Sequence, residues 1–200
     1  LVNSLLDFSR IQAGRAQAVY RPTDLPALTS NLASSFRSAF EEAGIELVID
    51  CPALPEMVYV DWDMWEKIVL NLISNAFKFT MRGRVTVRQY IRDKHVDLIV
   101  EDTGSGIPES DIGNVFKRFF RVEGTERRTH EGTGIGLALV EELIKLHGGS
   151  IRVTSKLGSG SAFTGSIPLG AKHLSAERIG ARVTRVSTGA VAEGYLEEVL

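Results

Sequence analysis

From Trp62 to Thr80 apolar side chains recur at Trp65, Ile68, Val69, Leu72, Ile73 and Ala76, the spacing of a helix with one buried face, and Asp61 stands where its cap belongs. A second amphipathic stretch, Leu25 to Ala43, places Leu28, Leu32, Phe36 and Phe40 on one side, has Thr23 or Asp24 as a cap and stops at Gly44. A third runs from Ile135 to His147 and ends at Gly148-Gly149. Leu1, Leu5 and Phe8, with Val2, Leu6 and Ile11, form a short helical face closed by Gly14. So short a helix is marginal alone and is expected to continue a longer N-terminal one. Two-residue alternation predicts strands at Ile45 to Asp50, Met57 to Val60, Arg84 to Ile91, Val96 to Asp102, Ser150 to Ser155 and Ser161 to Pro168, with Ala18 to Arg21 as a possible first strand. Four of these pair as two hairpins. Helices against a mixed, mostly antiparallel sheet predict a two-layer α/β sandwich.

The chain has 200 residues, 44% hydrophobic, enough for one full core, and a net charge of −2 that implies no nucleic-acid surface. Its single cysteine, Cys51, excludes an internal disulfide framework and fits a reducing compartment. No run reaches the roughly 18 apolar residues of a membrane span, so no direct membrane contact is expected. After Pro168 the sequence turns rich in Ala, Gly, Ser and Arg, which reads as a linker over residues 169–200.

Asn71, Asn75 and Lys78 sit at i, i+4 and i+7, so they share one side of their helix. Carboxamide oxygens suit a hard cation such as Mg²⁺, and the lysine can neutralise phosphate, although a stripe like this is also what a solvated helix face looks like. Asp102 continues the core-facing row Val96, Leu98 and Val100, and a buried carboxylate needs donors. An adenine amine would supply one, and so would the backbone of the turn that follows. Gly132-Thr-Gly134-Ile-Gly136-Leu137 opens into a helix, where glycine amides can approach phosphate. It is neither the dinucleotide fingerprint nor a phosphate loop of the GxxxxGK[ST] kind. Arg121 to Glu131 has the composition of a lid or of a plain surface loop, and Phe116, Phe119 and Phe120 read as packing residues before it.

Together these residues resemble the sensor histidine kinases. Asn71-Leu-Ile-Ser-Asn75-Ala-Phe-Lys78-Phe-Thr80 resembles their N box, Asp102-Thr-Gly104-Ser-Gly106 their first glycine box, and Phe116-Lys-Arg118-Phe-Phe120 their F box. Gly132 to Leu137 resembles the second glycine box and Gly158-Ser-Gly160-Ser-Ala-Phe163 the last. The resemblance implies the ATP-binding catalytic fold of the GHKL superfamily, with ATP and Mg²⁺ as cofactors. It implies Asn75 as principal Mg²⁺ ligand with Asn71 assisting, Lys78 on phosphate, Asp102 on the adenine amine, and Gly104 and Gly106 shaping the base pocket. Gly132, Gly134, Gly136 and Leu137 would hold the triphosphate, while Arg118 and Arg121 would stabilise charge on the transferred phosphoryl group.

Superfamily members that hydrolyse ATP resemble one another in carrying a glutamate base one turn before the metal-binding Asn. That position is Asn71 here, which has no useful basicity, and Glu66 points about 140° away on an ideal helix. Phosphotransfer with at most slow hydrolysis is therefore expected. The family's acceptor histidine lies on a helical hairpin, and none of His95, His130, His147 or His173 fits that setting. His147 ends a helix, where an imidazolium would meet favourable carbonyl dipoles. Leu1 to Ala13 resembles the last turns of that hairpin, which gives residues 1–15 as the hairpin's end, 16–168 as the catalytic domain and 169–200 as a connector toward a receiver domain. Expected partners are a histidine-bearing dimerisation domain of the same protein and a response regulator or receiver, in the cytoplasm, with a parent protein that can be membrane-anchored. The alternatives are a non-catalytic nucleotide-sensing module or a serine-directed kinase of the same superfamily.

Overall fold

The computed structural model describes residues 6, 8–11, 13, 16–122 and 133–180. Five strands, β2 (Ile45–Asp50), β4 (Gly83–Arg92), β5 (His95–Asp102), β6 (Ser150–Lys156) and β7 (Gly160–Pro168), form one sheet in the order β2-β4-β5-β7-β6. All its pairs are antiparallel except β2–β4. That pair is parallel because the chain crosses between its strands through β3 (Val58–Val60) and the long helix α3 (Trp62–Phe79). β1 (Arg21–Thr23) pairs with β3 in a small separate sheet. Helices α1 (Leu25–Ser34), α2 (Arg37–Glu42) and α5 (Gly136–Leu146) join α3 around a core in which Phe36, Phe40, Trp65, Phe77, Leu98, Leu139 and Leu143 are fully buried. The fold is the α/β sandwich the pattern predicts.

All six apolar positions of the α3 stripe are buried, and Asp61 caps the helix by accepting from Met64 N at 3.1 Å. The helix expected over residues 25–43 divides instead at Ser35–Phe36. There the Ser35 hydroxyl takes Leu32 O at 2.6 Å, and the Ser35 and Phe36 amides bond three residues back, which tightens and ends the first helix. Leu32, Phe36 and Phe40 still face the core, so the apolar pattern survives the break that it conceals. Asp24 makes the N-cap, while Thr23 ends β1 and its hydroxyl accepts from Trp62 Nε1 at 2.7 Å. The first strand begins later than expected, because its register is set by β3. A short helix, α4 (Glu109–Ile112), follows Pro108.

Residues from the stretch read as a linker return to the body. Tyr20 N donates to Arg178 O and Gly180 N to Tyr20 O, each at 2.8 Å, which makes a parallel bridge between Tyr20 and Ile179. His147 departs from the charged state expected at a helix end. Its ring is 1% exposed, and burial pushes its pKa below the usual histidine range. Asp61 N donates to Nε2 at 3.1 Å, so the ring proton is on Nδ1, 2.7 Å from Leu143 O. The imidazole is neutral, and desolvation outweighs the dipole.

Candidate nucleotide site

The polar stripe of α3 is brought against two glycine loops, one at each of its neighbours. Asn71 is 7% exposed, and Asn75 and Lys78 are half-buried. Asn71 Nδ2 donates to Lys67 O at 2.7 Å, which fixes the amide so that its oxygen faces the start of α5. A β-carbon on Gly136 would lie 2.7 Å from Asn71 Oδ1, so only glycine leaves that oxygen its place. Lys78 Nζ lies 5.9 Å from the centroid of the Phe79 ring.

Asp102 ends β5 opposite Val85 on one side and Ser161 on the other. Its Oδ1 accepts from Gly104 N at 2.8 Å, the turn-starting bond, and the backbone of Ser161 also donates to the carboxylate. Burial raises its pKa to about 6 from 3.8, a shift that those two amides offset only in part. The loop after it is wedged between α3 and the β6–β7 hairpin. Ser105 N donates to Phe79 O at 3.0 Å, Gly158 N to Ser105 O at 2.7 Å and Ile107 N to Ser155 Oγ at 2.8 Å. A β-carbon on Gly104 would come within 2.1 Å of Phe79 O, and one on Gly106, at φ +68°, within 2.1 Å of Lys156 O. Asp102 is therefore both the turn's anchor and a buried carboxylate, so its two readings are not exclusive.

The second loop leads into α5 through Gly134, at φ +69°, whose carbonyl accepts from Phe119 N at 2.9 Å. Ile135, 2% exposed, anchors the helix start, and Leu137 is half-buried against the core. Gly132 and nearly all of the expected lid lie outside the described residues. Phe116 packs edge-on against Phe163 with centroids 6.2 Å apart, and Phe120 is half-buried. Phe119 differs: it adopts φ +60° so that its amide can meet Gly134, which turns its ring outward to 67% exposure. Arg118 and Arg121 are exposed, and the Arg118 guanidinium lies 4.7 Å from the centroid of the Phe8 ring.

Sequence reasoning did not single out Ser161. Its amide reaches Asp102 because the β5–β7 register sets the two opposite one another, and that pairing was not readable from the strand patterns. Gly160, named in the last glycine box, owes its small size to the same neighbour, since a β-carbon there would fall 1.9 Å from Asp102 O. Among the described residues no group of three His, Cys, Asp or Glu side chains could hold a metal. A cation here would rely on carboxamide and phosphate oxygens, a donor set that suits Mg²⁺. The space that glycine at position 136 keeps open before the Asn71 oxygen fits such a group.

A family model described as histidine kinase-, DNA gyrase B- and HSP90-like ATPase matches residues 61–171, more than half of the chain. Hybrid signal transduction histidine kinase D of Dictyostelium discoideum is 36% identical over 84% of this chain, which spans 11% of that relative's length. Among solved structures, the mycobacterial sensor histidine kinase MprB is 30% identical, with a TM-score of 0.62 over 76% of this chain and 98% of its own. Full-length ShkA in complex with AMPPNP is 26% identical, with a TM-score of 0.73 over 96% of this chain and 46% of its own.

Proposed function

The chain belongs to the histidine kinase-, DNA gyrase B- and HSP90-like ATPase family as an ATP-binding catalytic domain, and from that premise we propose that it transfers the γ-phosphoryl group of ATP to a histidine on a separate helical hairpin of a two-component sensor kinase. One observation carries the reading. A buried carboxylate, Asp102, and a fixed carboxamide oxygen, Asn71, each front a glycine loop along the same helix, as an adenine and a metal-bridged phosphate require. Bound ATP would supply the transferable group, and Mg²⁺ held by the carboxamides would neutralise charge on its phosphates.

The chain's own residues then do four things. Asp102 accepts from the adenine amine, with Gly104 and Gly106 leaving room for the base. Asn75 and Asn71 offer carbonyl oxygens to the cation. Lys78 and the amides of Gly134 and Gly136 would hold the phosphates at the positive end of α5, a role that the motif extends to Gly132 and Leu137. Arg118 and Arg121 are available to stabilise charge as the phosphoryl group moves. Asn71 takes no proton from water, so the geometry serves transfer to a histidine better than hydrolysis. Residues 1–15 would end the dimerisation hairpin, 16–168 would form the catalytic domain and 169–200 would lead toward a receiver domain. The setting is the cytoplasm, and among the described residues no helix is long and apolar enough to cross a membrane.

The test uses radiolabelled ATP. This chain alone is expected to acquire no acid-labile phosphate, and a separately made histidine-bearing hairpin should become labelled when it is added. Rapid ATP turnover by the chain alone, abolished by Asp102→Asn, would overturn the assignment.

A further inference from the structure

Helices α3 and α5 pack side by side and run in opposite directions, and they meet at two levels, one a close approach and the other a hydrogen bond. At one level Asn71 Oδ1 faces Gly136; at the other, Asp61 N donates to His147 Nε2 at 3.1 Å. From Asp61 to Asn71 is about 15 Å of helix, and from His147 back to Gly136 about 16.5 Å. The two contacts are thus the ends of two rails of nearly equal length. The His147 end is tied down on every side. Its Nδ1 proton meets Leu143 O at 2.7 Å, and its ring packs edge-on against Tyr20 and Trp65, with centroids 5.4 and 6.4 Å away. Tyr20 OH donates to Leu146 O at 2.5 Å, and Val19 N donates to Asp61 Oδ2 at 2.8 Å. A side chain that needs only to fill space there would be apolar; this one supplies an acceptor to a backbone amide of the other helix's cap, and a buried amide without an acceptor is costly.

We propose that His147 is a positioning residue for the nucleotide site: by accepting from the Asp61 amide it fixes the axial position of α5 against α3, and so the distance between the phosphate-facing amides at the start of α5 and the Asn71/Asn75/Lys78 stripe. This rests on the nucleotide reading above. One residue of helical slip moves α5 by about 1.5 Å, a displacement large enough to uncouple groups that must act on one triphosphate. The adenine side of the site is built from β5, β7 and the end of α3, and none of the hydrogen bonds given above for Asp102 and its loop comes from α5.

That division supplies the test. Calorimetry on this chain compares adenosine, which needs only the base pocket, with a non-hydrolysable ATP analogue in magnesium. His147→Phe keeps the ring packing but offers no acceptor. It is expected to cut the advantage of the triphosphate over adenosine about tenfold while adenosine affinity stays within about twofold, one decade being 1.4 kcal/mol. His147→Gln, with an amide oxygen and N–H in place of Nε2 and Nδ1–H, should recover most of that advantage. If His147→Phe does not fold, His147→Met, an unbranched gap-filler without a comparable acceptor, takes its place. A purely structural role would lower the melting temperature and leave the ratio at wild type, and that result overturns the proposal, as does an equal loss in the Gln and Phe variants. A wild type that gains nothing from magnesium and triphosphate would instead remove the nucleotide reading and this proposal with it.

Discussion

Asp102 is a carboxyl group that folding makes harder to ionise, since its pKa rises from 3.8 to about 6. The native state therefore keeps a proton that the unfolded chain has released. The stabilisation this gives is full below pH 3.8 and is lost as pH rises through about 6, a change of about 3 kcal/mol. In urea titrations the stability of Asp102→Asn relative to the wild type should grow by that order between pH 4 and pH 7. On the proposed reading adenine recognition would run the other way, because the amine would donate to the ionised form. Nucleotide affinity should fall as pH drops below about 6 in the wild type, while Asp102→Asn should be weaker by about tenfold at pH 7.5 and flat with pH. At Gly136 a methyl group would press on the Asn71 oxygen 2.7 Å away. Gly136→Ala is expected to remove most of the magnesium-dependent part of triphosphate binding and to spare adenosine, as calorimetry with and without magnesium would read. Each residue type was legible from the motif; the Ser161 amide on Asp102 was not, because it belongs to a strand nearly sixty positions away.

At the scale of elements, one side chain can hold several things together. Asp61 caps α3 through Met64 N and receives Val19 N on its other oxygen. Asp61→Ala should cost about 2 kcal/mol from the cap and the second bond together, seen as a lower urea midpoint. β4 carries the opposite case. Gln89 is fully buried in a row with Val85 and Val87, and among the described residues neither polar atom of its amide has a hydrogen-bond partner. Gln89→Leu should raise stability by about 1 kcal/mol in the same titration. The long helix and both hairpins were readable because their apolar period, caps and turns agree. The break at Ser35–Phe36 was not, since the four-residue spacing of Leu28, Leu32, Phe36 and Phe40 runs straight through it. A hydroxyl bonding back to Leu32 O interrupts the backbone without disturbing the face.

For the molecule as a whole, residues 169–180 matter more than their composition suggests. They bring Arg178 and Gly180 to both sides of the Tyr20 peptide, immediately before β1. Ending the chain at Pro168 should leave those backbone groups without strand partners and lower the melting temperature by several degrees, while adenosine affinity, which depends on β5 and β7, stays unchanged. Local sequence was enough to determine the long helix, the helix before Gly148 and both hairpins, which face of each is buried, and which residue types could meet a nucleotide. These follow from short-range periodicity, capping and side-chain chemistry. Tertiary structure alone decided that β2 lies parallel to β4, that Asn71 faces Gly136, that His147 is neutral and bonded to the Asp61 amide, and that Phe119 turns outward. Each of these depends on groups far apart in the chain, whose register and desolvation come into being only when the layers pack.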